Sequence, residues 1–187
     1  DEASRGFSFR ESGPLDMRMN PLAGRSAYDV LMSASESELA EIFHDYGQER
    51  AARKIARTIV HRRKVGSFPA TTLEFARMIS GLMHRPGRRE RIHPATRVFQ
   101  ALRIAVNDEL EALREGLDGA VSRLRGAGRI VAISFHSLED RIVKRKFLHD
   151  DRLEVLTRKP LTPGRDEIEQ NPRASSAKLR AAQRKAS

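Results

Sequence analysis

The 187-residue sequence contains no cysteine, so it can form no disulfide and offers no cysteinate to a metal. No apolar run approaches the length of a membrane-spanning helix, and the first residues lack the apolar core of an export signal. The expected location is therefore cytoplasmic, without membrane contact. The six histidines lack the i, i+4 pairing and carboxylate company of zinc enzymes, so no metal site is expected. No glycine-rich loop follows a strand and opens a helix. Gly126-Ala127-Gly128 precedes its strand instead, which argues against a complete cofactor-binding turn. A hydrolytic triad of Ser134 or Ser137 with His136 has little support, since neighbours on a strand face opposite sides and no nucleophile elbow is present.

What is abundant is positive charge, unevenly placed. The net charge is +10. Residues 1–47 carry 4 basic and 9 acidic side chains, whereas residues 48–92 carry 12 and 3. Residues 93–140 are near neutral, and residues 141–187 carry 13 basic against 6 acidic. Two basic zones flanking a neutral block are expected of a protein that holds a polyanion against a site. Arginine dominates the first zone, and its fork suits bidentate contact with phosphate.

Residues 1–25 are rich in glycine and proline yet carry Phe7, Phe9, Leu15, Met17 and Met19, a pattern that predicts an ordered loop packed on something. Ser35 and Glu38 form a capping box opening a helix with Leu39, Ile42, Phe43 and Tyr46 on one face. A second helix turns Ile55, Ala56 and Ile59 inward and Arg50, Arg53, Lys54 and Arg57 outward. Thr71 or Thr72 caps a third helix ending near Met83. No strand pattern occurs from 26 to 92. From Pro94 to about Leu124, apolar residues step by threes and fours without a miss, which predicts one long helix that Gly116 and Gly119 can bend or split. Arg129 to Phe135 then reads as a buried strand, with weaker strand candidates at 153–157 and 177–183.

The strand stops at Ser134-Phe135-His136-Ser137-Leu138-Glu139-Asp140, and a helix begins at once. Polar groups at the carboxyl end of a strand in an α/β fold are placed for chemistry. Phe7, Phe9, Asp16 and Arg18 come from the N-terminal loop. His93, Arg97 and Gln100 come from the start of the long helix, and His136, Glu139 and Asp140 from the strand end. Together these side chains can stack on a base, pair with its edge and hold its backbone, as recognition of an unstacked nucleotide requires.

Several phrases occur in one order: Arg5-Gly6-Phe7-Ser8-Phe9, Gly13-Pro14-Leu15-Asp16-Met17-Arg18-Met19, His93-Pro94-Ala95-Thr96-Arg97, Phe99-Gln100-Ala101-Leu102-Arg103-Ile104, Val106-Asn107-Asp108-Glu109-Leu110, Ile133 to Lys144, and Asn171-Pro172-Arg173-Ala174. In these the chain closely resembles the bacterial small-subunit ribosomal RNA cytosine-N4-methyltransferases, which use S-adenosyl-L-methionine. The resemblance runs from residue 1 to about 184.

It implies an α/β fold: the C-terminal portion of a Rossmann-like class I methyltransferase domain carrying an inserted all-helical domain. Residues 1–25 would be its linker loop, 26–92 the helical RNA-recognition insertion, and 93–187 the C-terminal part of the methyltransferase domain. The family's N-terminal part, with the first strands and the glycine-rich loop for the methionine moiety, has no counterpart in these residues. No cofactor-binding residue is therefore expected on this chain, which alone should be inactive. The strand at Arg129–Phe135 should also lack parallel neighbours. The implied partner is small-subunit ribosomal RNA or the small ribosomal subunit, and a homodimer remains open. His136 and Glu139 are the expected catalytic pair, bordering a cytidine pocket with Phe7 and Phe9. Arg50, Arg53, Arg57, Arg62, Arg63, Arg88 and Arg89 are the expected grips on RNA phosphates. The competing reading is a non-catalytic RNA-binding or ribosome-assembly fragment.

Overall fold

A serine with an acid three residues later opens each of the first two helices. Ser26 Oγ accepts the Asp29 amide while the Asp29 carboxylate accepts that of Ser26, and Ser35 with Glu38 repeats the arrangement. Each box satisfies donors that a helix start leaves unpaired. The helices are α1 (Ala27–Ser33) and α2 (Glu36–Glu41), and α2 runs on into a π-helical turn, Ile42–Tyr46. The computed structural model describes residues 3–83 and 92–186 and resolves two units, Asp1–Glu109 and Leu110–Ser187.

The first unit adds α3 (Ala52–Lys64), α4 (Thr72–Met83) and α5 (Ala95–Asn107). Its core interleaves Leu31, Leu39, Phe43, Ile55, Ile59, Phe75, Ile79, Val98 and Leu102 from all five helices and the π turn. Each such side chain contributes about 1.5–3 kcal/mol by leaving water. The N-terminal loop is ordered, as its apolar residues predicted: Leu15 and Met17 are buried in the same core. Thr72 staples the loop down. Its amide donates to the Gly13 carbonyl at 2.8 Å, and its hydroxyl accepts the Gly13 amide and donates to the Glu11 carbonyl, each at 3.0 Å. Thr71 therefore serves as the cap of α4, its Oγ1 accepting the Glu74 amide. Gly6 has φ +72°, and a Cβ there would meet the Pro14 carbonyl oxygen at 2.2 Å, so no other residue fits.

The single helix predicted from Pro94 to Leu124 is two helices. The chain turns left-handed at Asp108 (φ 48°, ψ 36°), ending α5, and α6 (Glu109–Arg123) starts at the next residue. The apolar spacing continues across the break, which hid it. Aspartate tolerates this conformation because its short polar side chain can bond locally. Gly116 and Gly119 sit inside α6 and split nothing.

The second unit continues with β1 (Arg129–Ser134), α7 (Ser137–His149), β2 (Leu153–Val155), α8 (Arg165–Gln170) and β3 (Lys178–Arg184). The sheet order is β1-β3-β2, with both pairings antiparallel. Arg129 opposes Gln183 and Ser134 opposes Lys178; Leu153 opposes Arg184. The fold is thus mixed α/β with a small antiparallel sheet. The two weak strand candidates pair with each other, but α8 and a short 3₁₀ turn (Pro172–Ser176) lie between them, so they form no hairpin. The expectation that β1 is buried fails. It is an edge strand with one face inward: Ile130 and Ala132 pack on a core of Leu117, Val121, Val143, Phe147 and Leu153, while Val131 and Ile133 are 56% and 57% exposed. Its alternation is that of a half-covered strand, which a run of β-branched residues does not reveal. Among the described residues no helix is long and apolar enough to cross a membrane.

Candidate functional site

The turn from β1 into α7 is closed by its own side chains. His136 is the N-cap of α7, with Nδ1 accepting the Glu139 amide at 3.4 Å. The Glu139 carboxylate reaches back, and Oε2 accepts the amides of Phe135 at 2.8 Å and His136 at 3.2 Å. Because Nδ1 is an acceptor, the neutral ring carries its proton on Nε2. Nε2 lies 3.2 Å from Glu139 Oε1, within ion-pair range. Among the described residues it is the buried side-chain polar atom that has no hydrogen-bond partner. Burial pushes the Glu139 carboxyl up, but the His136 side chain and the two amides outweigh it and hold it below the usual range. The corner therefore presents a carboxylate with a buried imidazole nitrogen beside it.

Asp140, expected to touch substrate, is engaged elsewhere. Its Oδ1 accepts Arg180 Nε at 2.7 Å and its Oδ2 accepts Arg180 Nη2 at 3.3 Å, with Lys178 Nζ at 3.5 Å. Arg180 is itself buried. These bonds lower the Asp140 pKa, the Arg180 bond most. The pair fastens α7 to β3.

The remaining substrate-side residues belong to the first unit. Phe9 stacks on His93 with ring centroids 4.6 Å apart, and its edge meets Phe99. His93 Nδ1 accepts the Ala95 amide at 3.2 Å, just before α5, whose N-cap is Pro94. Phe7 lies under the Arg5 guanidinium, 5.2 Å from its centroid. Arg18 grips the Asp16 carboxylate with two bonds of 2.8 Å, and this lowers the Asp16 pKa. Arg97 and Gln100, on α5, donate to the carbonyls of Gln48 and Tyr46. Phe9 and His93 are thus brought together, Asp16 and Arg18 are spent on each other, and Arg97 and Gln100 brace the corner after the π turn.

The expected phosphate grips divide as well. The side chains of Arg50, Arg53 and Arg62 are exposed and make no ion pair or hydrogen bond among the described residues. Arg57 lies 3.6 Å from Glu36, both exposed. Arg63 instead donates to the Ala34 carbonyl at 2.7 Å at the end of α1, where burial lowers its pKa. Arg88 and Arg89 lie outside the described residues.

Two residues matter more than their sequence position signalled. Asn107 Nδ2 donates to the Met17 carbonyl at 2.7 Å while its Oδ1 accepts the Met19 amide at 2.6 Å. This bridges the start of the chain to the end of α5 and holds Met17, which has φ +61°. Arg180 gave no signal beyond alternation on a strand.

The strand-to-helix corner does not fit a nucleoside-bearing methyl donor. The turn from β1 into α7 carries no glycine for close backbone approach, and the Glu139 carboxylate already occupies its amides.

The MraW methylase family matches residues 1–185. The ribosomal RNA small subunit methyltransferase H of Synechococcus elongatus is 55% identical over 184 residues, 98% of this chain and 61% of that protein. Its namesake in Carboxydothermus hydrogenoformans is 50% identical over 202 residues, 98% of this chain and 64% of that one. The Acidobacterium capsulatum protein of the same name is 53% identical over 188 residues, 99% and 62% respectively. The chain spans about three-fifths of the length of the curated relatives it matches.

Proposed function

Since the chain belongs to the MraW methylase family, we propose that it forms the substrate-side part of an S-adenosyl-L-methionine-dependent enzyme that methylates N4 of a cytidine in small-subunit ribosomal RNA. The match across residues 1–185 carries this reading. The cofactor supplies an electrophilic methyl group when bound. As the corner between β1 and α7 does not fit it, its site is assigned to parts of the complete enzyme outside the described residues. In the proposal the whole protein has a Rossmann-like methyltransferase domain, residues 26–92 are a helical insertion that recognises RNA, and the enzyme acts in the cytoplasm.

The chain's own residues bind and orient. Cytosine N4 is a poor nucleophile because its lone pair is delocalised into the ring, so the rate depends on positioning and on acceptors for the amine protons. His136 and Glu139 form a wall of the cytidine pocket. His136 Nε2, buried 3.2 Å from Glu139 Oε1, holds that carboxylate in place, and Glu139 Oε1 retains acceptor capacity for an amine proton. In the first unit, taken by itself, Phe7 with the stacked Phe9 and His93 supplies aromatic surface for RNA bases. The exposed arginines of α3 and its approach, Arg50, Arg53, Arg57 and Arg62, hold phosphates.

The test joins this chain to the N-terminal part of the Synechococcus elongatus relative and supplies unmodified small ribosomal subunits and S-adenosyl-L-methionine. Nuclease digestion and mass spectrometry should find N4-methylcytidine. A folded, cofactor-binding hybrid that leaves cytidine unmodified, or that methylates a ring carbon, contradicts the proposal. RNA binding without methylation would favour the competing reading of an assembly factor, which the lack of a cofactor-fitting turn supports.

A further inference from the structure

The acids of α7 are all turned to structural use, and its outer face is left with unneutralised cations. Glu139 is bonded to the amides of Phe135 and His136, and Asp140 to Arg180 and Lys178. Lys146 is the one lysine or arginine of the helix that is paired: it bridges Asp118 and Asp150. Arg141, Lys144 and Arg145 are exposed and form no ion pair or hydrogen bond among the described residues. They lie at i, i+3 and i+4, on a face turned away from the buried Val143.

Like charges at that spacing repel each other. The fold neither relieves this repulsion with nearby carboxylates nor uses these side chains for packing. Such a face is suited to an external polyanion. Residues 141–187 carry an excess of 7 positive charges in all, so the local field does not cancel the patch.

We propose that Arg141, Lys144 and Arg145 form a second phosphate-binding surface, independent of α3, on which the RNA backbone lies. The inference rests on the RNA-modifying role proposed above and adds a place of contact to it. Three point contacts on one helical turn fit successive phosphates of a strand and read no base. Their function is to hold the RNA in register while a nucleotide enters the pocket.

The test measures binding of a fluorescently labelled single-stranded RNA to the full chain by anisotropy across a salt series. The variants are Arg141→Gln/Lys144→Gln/Arg145→Gln and, for comparison, Arg50→Gln/Arg53→Gln/Arg62→Gln. Each phosphate contact contributes about 0.7 to the slope of log affinity against log salt on single strands, so the α7 triple variant should lose about 2 from the slope. Its affinity near physiological salt should fall roughly tenfold or more. An unchanged slope in the α7 variant alongside a reduced slope in the α3 variant overturns the α7 surface and leaves the RNA reading standing. Failure of the unmodified chain to bind RNA removes both. Vesicles rich in phosphatidylserine form a further arm, and a loss seen there but not with RNA overturns the proposal in favour of a membrane surface. Should the triple variant not fold, Lys144→Gln and Arg145→Gln singly are each expected to lower the slope by about 0.7.

Discussion

His136 and Glu139 are bonded to each other in both directions: the Glu139 carboxylate accepts the His136 amide, and His136 Nδ1 accepts the Glu139 amide. The pair expected to act on substrate is therefore also the pair that starts α7. A substitution can fail by unfolding the corner or by emptying the pocket, and the two must be separated.

Asparagine separates them. It is a good N-cap, so His136→Asn should keep the helix start within about 0.5 kcal/mol while removing the imidazole N–H. In the hybrid enzyme, turnover should drop at least tenfold with RNA affinity unchanged. His136→Ala should lose turnover and, in addition, about 1 kcal/mol of stability. Urea melts and single-turnover assays on both variants decide it. Equal losses of turnover and RNA affinity in His136→Asn would remove His136 from the pocket.

The Asn107 clamp sets a second expectation. Asn107→Ala removes the partners of the Met17 carbonyl and the Met19 amide and should destabilise by about 1–3 kcal/mol. Asn107→Asp cannot donate to Met17 and should recover only part of this. Both are read by urea denaturation, and a loss under half a kcal/mol in Asn107→Ala would show that the loop is held by Thr72 and the core alone.

The clamp also marks how much was legible in the sequence. The ordered loop, the Ser35–Glu38 box, the α3 and α4 helices and the strand-to-helix corner could be read because each has a local cause: apolar content, cap chemistry or periodicity. The break at Asp108 could not, because apolar spacing carries on through one left-handed residue. The half-exposed face of β1 could not either, since strand composition does not say which faces are covered. The engagement of Asp140 by Arg180 depends on register between residues forty positions apart, which no local pattern encodes. Of the expected site residues, Phe9 and His93 stack on each other, while Asp16 and Arg18 bond to one another and Arg63 to the Ala34 carbonyl.

Asp140 and Arg180 make a clear case for a double-mutant cycle. Asp140→Ala leaves a buried guanidinium without its carboxylate and should cost about 3 kcal/mol. Adding Arg180→Met should restore most of that loss. If Asp140→Ala alone costs less than about 1 kcal/mol, the pair is not what fastens α7 to β3.

Acid stability follows from two carboxylates. Asp150 is held well below the usual carboxylate range by Arg152 and then Lys146, and Asp140 is lowered chiefly by Arg180. A depressed folded-state pKa gives stability that is fully present above the unfolded value near 4 and is lost as pH falls through the folded value. Melting temperature should thus fall steeply below about pH 4. Asp150→Asn should lower it at pH 7 and flatten the acid limb. Parallel curves for the variant and the parent would contradict the assignment.

Asp108 offers a gain. At φ +48° a glycine is unstrained, so Asp108→Gly should stabilise by about 0.5–1 kcal/mol and Asp108→Val destabilise by more than about 1 kcal/mol. A stabilising valine would mean that the left-handed break is not retained.

We propose that these residues form the substrate side of a methyltransferase and do not hold its cofactor. Calorimetric titration of S-adenosyl-L-methionine tests it most directly. The chain by itself should give no binding heat, whereas the hybrid carrying the relative's N-terminal part should bind. Saturable binding to the chain alone would contradict the account.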